Sequence, residues 1–306
     1  MYYFSSKPTM HSQKGVALIQ VLLISAIISI LAIRFSLTAR DQIETATSFE
    51  QRVKATQLLK STQSKIIYTL LTGEILSQDK DAFPNSEAWN YYGKPIVLFK
   101  DENELITIIT RIQSNAGLLS QRYVNTPFWH KALSQLNYSE NEIEKIQGEL
   151  KDWQDRDTDS WLIGNAEPDV LENGQPYRNQ AIQLPQEINW FFSETPENIN
   201  IIKNISTPYA MPGLNFMYAP DLLLSLMFDA DLALELISQR EQQELTNVTI
   251  MSLLGDLYDD EIISFSLGNK FKVITQVTLG DVKLQETMEI QLQPRKTEPV
   301  LVFSRY

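Results

Sequence analysis

The sequence predicts an α+β protein in which one long N-terminal helix packs on an antiparallel sheet that carries a large all-helical insertion. No proline or glycine occurs from Val16 to Thr72, so a single helix of about 85 Å is allowed. Short β-rich runs follow this segment, and similar runs return near the C-terminus. Between them, residues 113–250 have helical patterns. One sheet interrupted by a helical insertion is the simplest fold that fits this order.

The first part of the long helix has the composition of a membrane span. Residues 16–33 contain no charge, proline or glycine, and Lys14-Gly15 and Arg34 bound them. Eighteen helical residues extend about 27 Å, enough to cross the hydrocarbon of a bilayer. A cleaved secretory signal would not continue as helix. We therefore predict a single transmembrane segment at 16–33.

The second part of the helix is amphipathic and is predicted to bury one side against a soluble domain. The rest of the helix and the first strands are assigned to residues 34–112. The apolar stripe consists of Phe49, Val53, Leu59, Ile66, Ile67, Leu70 and Leu71.

Hairpin patterns flank the predicted insertion. An acidic turn after Asp101 separates the first two β-rich runs, and Gly280-Asp281 is a natural hairpin tip near the C-terminus. The C-terminal strands are assigned to residues 251–306. The predicted strands are Pro95–Phe99, Leu105–Ile109, Ser264–Leu267, Lys272–Leu279 and Val282–Leu292.

The insertion is predicted to contain helices at Phe128–Leu136, Glu140–Trp153 and Asp221–Glu241. Ser139 and Glu142 form a capping-box pattern at the start of the second of these helices.

Charge and composition exclude several classes of function. Taking the four bases of residues 1–40 from the total of 26 leaves 22 bases against 38 acids, a net charge of −16 over residues 41–306. Such a body repels nucleic acid and anionic lipid. The absence of cysteine excludes disulfides and a thiol nucleophile. His130 lies among apolar residues with no nucleophile motif nearby, so we predict no enzyme and no small-molecule substrate.

An acidic loop follows the second predicted helix of the insertion. Asp155, Asp157 and Asp159 alternate, so a looped backbone can turn several carboxylates toward one centre, as Ca²⁺ requires. Ser160 stands where an EF-hand has glycine. The pattern also fits a solvated acidic loop with Asp152 near a helix end, and both interpretations stay open on the residues alone.

The run Lys14-Gly-Val-Ala-Leu-Ile-Gln-Val-Leu-Leu-Ile24 resembles the leader and N-terminal helix of type IV pilins and type II secretion pseudopilins. Most members have Glu at the fifth mature position, where this chain has Gln20. With its missing Glu, this run is similar to that of the general secretion pathway protein K family, the large minor pseudopilins. The resemblance implies a prepilin leader at residues 1–15, cleavage between Gly15 and Val16 by prepilin peptidase, and N-methylation of Val16.

Three further stretches extend this resemblance. Residues 89–95, Trp-Asn-Tyr-Tyr-Gly-Lys-Pro, are similar to the segment before the family's first strands. Residues 212–226 partly match its SAM-like helical repeat, with Tyr218 in place of threonine. The Asp-Trp loop, continued by Pro176-Tyr177, resembles the family's calcium signature. The resemblance implies Ca²⁺ ligands at Asp155, Asp157 and Glu167, with Asp152, Asp159 and Asp169 as further candidates.

The resemblance implies a minor pseudopilin that caps the pseudopilus tip and helps to initiate its assembly, for export of folded proteins across the outer membrane. Its expected partners are other minor pseudopilins, the major pseudopilin, prepilin peptidase and the inner membrane. The bulk of the chain would then lie in the periplasm, and charged substitutions in residues 66–71 would break the complex. The alternative is a membrane-anchored periplasmic binding or scaffold protein unrelated to secretion, with no processing at Gly15.

Overall fold

A computed structural model of the chain describes residues 16–72, 89–103, 105–161, 170–171, 174–192, 196–209, 213–255, 259 and 261–306. The chain divides into two compact units, residues 1–54 and 55–306. In the first unit the described residues are helical, and the second unit contains the sheet and the inserted helices. The predicted leader, residues 1–15, lies outside the described residues.

The helices and strands follow the predicted order. The α-helices are α1 (Val16–Thr72), α2 (Pro127–Gln135), α3 (Glu140–Asp152), α4 (Pro196–Ile205), α5 (Asp221–Met227), α6 (Ala230–Glu241) and α7 (Asn247–Leu254). The strands are β1 (Ile96–Asp101), β2 (Ile106–Ser114), β3 (Leu119–Ser120), β4 (Ser206–Thr207), β5 (Lys270–Leu279), β6 (Val282–Leu292) and β7 (Val300–Arg305).

A five-stranded antiparallel sheet forms the centre of the second unit. Its strand order is β1-β2-β5-β6-β7, and β3 and β4 form a small parallel pair within the insertion. The inserted helices lie in the chain between β2 and β5. The predicted fold class, a long N-terminal helix with an antiparallel sheet and a helical insertion, is confirmed.

The C-terminal part of α1 packs on one face of this sheet. Ala55 and Leu59 contact one apolar cluster of strand residues, and Ile66 and Leu70 contact a second. Alternation along β5 supplies the facing side chains, because every second residue from Phe271 is buried. Burial of these apolar side chains stabilises the contact between helix and sheet.

A polar layer separates the two apolar clusters. Gln63 of α1 is 2% exposed, and neither atom of its side-chain amide has a hydrogen-bond partner. Thr110 and Thr275 are cross-strand partners and are fully buried. The Thr110 hydroxyl donates to the carbonyl of Ile274 at 3.1 Å, whereas the Thr275 hydroxyl has no partner.

The predicted apolar stripe of α1 is wrong at its N-terminal end. Phe49 is 70% exposed and Val53 is 41% exposed. Both precede Ala55, which is the first buried residue of the helix. Both also lie in the first unit, residues 1–54, which contains none of the described strands.

Two other predicted elements differ in the structure. Residues 264–267 do not form a strand, because their backbone groups are not paired with a neighbouring strand. The Ser264 N–H donates to the carbonyl of Leu214, and Asn215 Nδ2 donates to the carbonyl of Ser266. The hydroxyl of Ser264 accepts the N–H of Ser266. The predicted helix over 221–241 is two helices. Its break lies at Asp229, whose side chain accepts the Leu232 N–H at 2.9 Å and caps α6.

Local turn chemistry appears where it was predicted. β1 and β2 pair as a hairpin, and the Asp101 carboxylate accepts the N–H of Asn103 at 2.9 Å in the turn. Gly280 has φ +55° at the tip between β5 and β6. The capping box of Ser139 and Glu142 is present at the start of α3.

Candidate membrane helix, acidic loop and domain seam

The apolar part of α1 presents its side chains outward. Every residue from Val16 to Ile33 is exposed, and α1 is the helix among the described residues whose length and composition suit a membrane span. The hydroxyls of Ser25 and Ser29 donate to backbone carbonyls one turn earlier, at 2.9 and 2.8 Å. These bonds remove two free donors from a surface that hydrocarbon would cover. One such helix fits a single-pass membrane anchor.

Gln20 lies within this apolar helix and is exposed. It is the predicted fifth mature residue, and its neutral side chain adds no charge to the span. Val16 is the first described residue of α1, while Gly15, the predicted residue before the cleavage site, lies outside the described part of the chain.

Asp152 anchors the acidic loop at the C-terminal end of α3. Its side chain is buried, with a residue exposure of 3%. One carboxylate oxygen accepts the N–H of Trp161 at 2.9 Å, and the other accepts the hydroxyl of Ser160 at 3.2 Å. Both oxygens are therefore used to hold the loop against the end of the helix.

Asp155 has a carboxylate that is only partly satisfied. Its Oδ1 atom is buried and has no hydrogen-bond partner. Burial, followed by the charges of Asp157 and Asp152, raises the pKa of Asp155. A cation beside this oxygen would offset both the burial of the carboxylate and its repulsion by the neighbouring acids.

Asn179 is a further oxygen donor at the loop that sequence reasoning missed. Its Nδ2 atom donates to the backbone carbonyl of Asp157 at 2.7 Å, and its buried Oδ1 atom has no partner. The carboxylate of Asp157 accepts the N–H of Asp159 at 3.1 Å. An asparagine so far along the chain carried no sequence signal, because only the fold brings it to Asp157.

The described part of the loop does not contain a complete cluster of metal-binding side chains. No group of three or more His, Asp or Glu side chains that could hold an ion occurs among the described residues. Glu167 and Asp169, two of the predicted ligands, lie outside them. The unpaired oxygens of Asp155 and Asn179 are hard donors of the kind that Ca²⁺ takes, so the residues present fit part of such a site.

A seam joins the C-terminal end of α6 to the segment before β1. The Arg240 guanidinium lies 3.8 Å from the ring centroid of Tyr92, donates to the carbonyl of Ala219 at 2.5 Å and pairs with Asp221. The next residue, Glu241, pairs with Lys94. These contacts hold the insertion against the sheet domain.

The start of the insertion packs closely on its second half. A Cβ atom on Gly117 would lie 2.0 Å from the carbonyl oxygen of Tyr218, which only glycine avoids. The Asn215 N–H donates to the carbonyl of Ala116 at 2.7 Å. Asn215, which lies in the predicted helical repeat, thus joins the two halves of the insertion.

Glu289 of β6 is a buried acid on the sheet face opposite α1. The residue is 3% exposed, and its Oε2 atom has no hydrogen-bond partner. Burial raises the pKa of Glu289 to about 7, against the charge of its cross-strand partner Lys272 and a hydrogen bond from Asn115.

His130 forms a pair with an acid at the surface. Its Nε2 atom lies 2.6 Å from a carboxylate oxygen of Glu140, and both side chains are largely exposed. A surface pair of this kind links α2 to the start of α3.

No protein-family model matches the chain, and no curated protein matches it. The arrangement of a long helix, an antiparallel sheet and a helical insertion has a counterpart among solved structures. A chain in "The Crystal Structure of the GspK-GspI-GspJ complex from enterotoxigenic Escherichia coli Type 2 Secretion System" is similar, with a TM-score of 0.52 and 14% identity. The match covers 88% of this chain and 98% of that chain. At this identity the match establishes the fold, and it confirms the predicted resemblance at that level.

Proposed function

We propose that the chain is a minor pseudopilin of a type II secretion system. The observation that carries this proposal is the extent of the fold match, which spans 88% of the chain and therefore includes sheet and insertion as well as helix. A continuous helix that starts in an apolar segment and ends on a sheet suits a subunit held in the membrane before assembly. The similar chain belongs to a complex of a type 2 secretion system, which is consistent with the proposal.

The proposed place of this subunit is the tip of the pseudopilus, where it helps to initiate assembly for export of folded proteins across the outer membrane. Gln20 has no charge that needs a neighbour's amine within hydrocarbon. The large insertion would crowd any subunit stacked above it. Other minor pseudopilins and the major pseudopilin are the proposed partners, and the solved match is itself a complex of three such components.

We place the partner-binding face of α1 outside residues 66–71, which the sequence indicated. Ile66 and Leu70 are buried against the protein's own sheet, so charged substitutions there would damage its core. Phe49 and Val53, one turn apart on the same side of the helix, are 70% and 41% exposed. We therefore assign the helix–helix contacts with other pseudopilins to this exposed apolar face. Phe49→Glu should abolish co-purification with other minor pseudopilins, whereas Gln20→Glu should leave the complex largely able to form.

Intact-mass measurement of the membrane-extracted protein tests the proposal. A mature chain that begins at an N-methylated Val16, produced only in cells with prepilin peptidase, is the expected result. A chain that keeps residues 1–15 would favour the alternative, a membrane-anchored binding or scaffold protein. Cross-linking that finds the protein at regular intervals along the filament shaft would rule out the tip placement.

The proposed topology puts residues 34–306 in the periplasm and the short basic N-terminus in the cytoplasm. A reporter that works only in the periplasm should be active when it is fused after Thr72. Activity of a cytoplasmic reporter at the same position would contradict the orientation.

We further propose that the acidic loop binds Ca²⁺ through Asp155 and Asp157, with Glu167 as a third ligand and Asp159 and Asp169 as further candidates. Asp152 instead anchors the loop through its two hydrogen bonds. The full chain in detergent should melt at a higher temperature with Ca²⁺ than with a chelator, because the ion binds only the folded loop.

Asp157→Ala should remove most of this difference in melting temperature. Glu144→Ala, which removes an exposed acid from α3, is the matched control and should keep it. Equal melting of the wild-type protein with Ca²⁺ and with chelator would return the loop to the solvated interpretation.

A further inference from the structure

Four basic side chains converge on the sheet face opposite α1. Lys270 and Lys272 are two residues apart on β5, which places them about 7 Å apart on one face of the strand. The intervening Phe271 is buried toward α1, so the two lysines lie on the other side. Both are partly exposed.

Arg122 and Lys203 approach these lysines from the insertion. Arg122 follows Gln121, whose N–H donates to the carbonyl of Thr207 at 2.8 Å beside the β3–β4 pair. Lys203 lies on the helix that leads into β4. Burial, with added repulsion from Arg122, lowers the pKa of Lys270.

An aromatic stack lies beside the bases. The rings of Tyr209 and Phe303 are parallel to within 15°, with centroids 4.5 Å apart, and the Lys270 ammonium lies 5.7 Å from the Phe303 centroid. Tyr306 follows β7, exchanges two backbone hydrogen bonds with Thr287 of β6 and is 48% exposed. Tyrosine and arginine are enriched in the binding hot spots of protein interfaces.

The protein's own acids leave three of the four bases poorly neutralised. Arg122, Lys203 and Lys272 form no ion pair within 4.0 Å with the acids of the described residues. Glu289, opposite Lys272, is buried and holds a proton up to a pH of about 7. Glu187 is already paired with an arginine at 2.9 Å. In a body whose net charge is −16, such a group of bases is a local exception.

We propose that the basic patch formed by Arg122, Lys203, Lys270 and Lys272 binds a carboxylate-rich segment of a partner protein. The patch is small, and the acidic body around it repels an extended anionic surface such as a membrane or a nucleic acid. A short acidic segment avoids most of that repulsion and can also contact the exposed Tyr306. This inference goes beyond the proposed function, since it holds for any partner that offers such a segment.

The test uses the full chain in neutral detergent and a fluorescein-labelled peptide of alternating Glu and Gly residues as the probe. Fluorescence anisotropy at low salt, about 20 mM, keeps screening weak. Arg122→Glu and Lys203→Glu should each weaken peptide binding about tenfold or more, since each converts attraction into repulsion. Lys203→Gln should weaken it less. Lys296→Glu, an exposed base on the 293–299 segment, makes the same charge change and should have little effect.

Competition identifies the chemistry that the patch prefers. The unlabelled Glu–Gly peptide should displace the labelled peptide at a lower concentration than inorganic phosphate or glycerol phosphate does. Preference for either phosphate would make the patch a phosphate or lipid-headgroup site and overturn the proposal. Absence of peptide binding by the wild-type chain, or equal weakening by Lys296→Glu, would overturn it as well. Equal melting temperatures of the variants and the wild type confirm that each variant is folded.

Discussion

Replacement of Glu289 by glutamine should stabilise the protein at alkaline pH and leave its stability nearly unchanged in acid. The folded protein raises the pKa of this carboxyl to about 7 from an ordinary 4.5, so the folded state binds the proton more tightly than the unfolded chain does. The stability that this proton contributes is complete below about pH 4.5 and is lost as the pH rises through 7. Glutamine keeps the neutral form at every pH.

The magnitude follows from the shift. A difference of about 2.5 pKa units corresponds to about 3 kcal/mol of unfolding free energy at pH 8.5. For a domain of this size that is a rise of about 5–10 °C in melting temperature. Thermal unfolding of the full chain in detergent at pH 5 and pH 8.5 measures it.

The control is Glu298→Gln, which removes an exposed acid from the segment before β7 and should change neither melting temperature much. The reasoning is refuted if Glu289→Gln lowers the melting temperature at pH 8.5. That result would mean that the attraction between Glu289 and Lys272 exceeds the cost of burying the carboxylate.

Three further substitutions test the packing. Gln63→Leu should raise the melting temperature, because an unpaired buried amide costs about 1–3 kcal/mol, and the exposed Gln57→Leu should not. Gly117→Ala should destabilise by about 2–4 kcal/mol, since its methyl group would meet the backbone of Tyr218, and unchanged melting would show that this contact relaxes freely. Arg240→Lys should lower the melting temperature because one ammonium cannot replace both hydrogen bonds of the guanidinium; wild-type melting would contradict the role of the seam.

Features with a local cause were predictable from the sequence. The described part of α1, Val16–Thr72, is one continuous helix, as predicted, because the absence of proline and glycine is a local property. The capping box at Ser139 and the tip at Gly280 depend on a few neighbouring residues, and both are present. The continuity of α1 and these two local features could therefore be predicted from the sequence.

Features that depend on distant contacts were not predictable. Residues 264–267 look like a strand by composition, but Leu214 and Asn215 take up their backbone bonds across the fold. The role of Asn179 at the acidic loop depends on the chain returning to Asp157. The basic patch likewise joins β5 to Arg122, which precedes α2, and to Lys203 of α4, and charge counted along the sequence shows only a strongly acidic body.

The strand order β1-β2-β5-β6-β7 is a simple meander, with each strand beside its neighbour in sequence apart from the short pair inside the insertion. Ser114, at the end of β2, is the cross-strand partner of Phe271 in β5. In topological terms the whole helical insertion therefore occupies the place of a single hairpin turn. Loop-closure entropy grows only with the logarithm of loop length, so pairing β2 with β5 across so long a segment costs little more than across a moderate loop. The sheet can therefore accept a very large connection at this turn without any change in its own strand pairing.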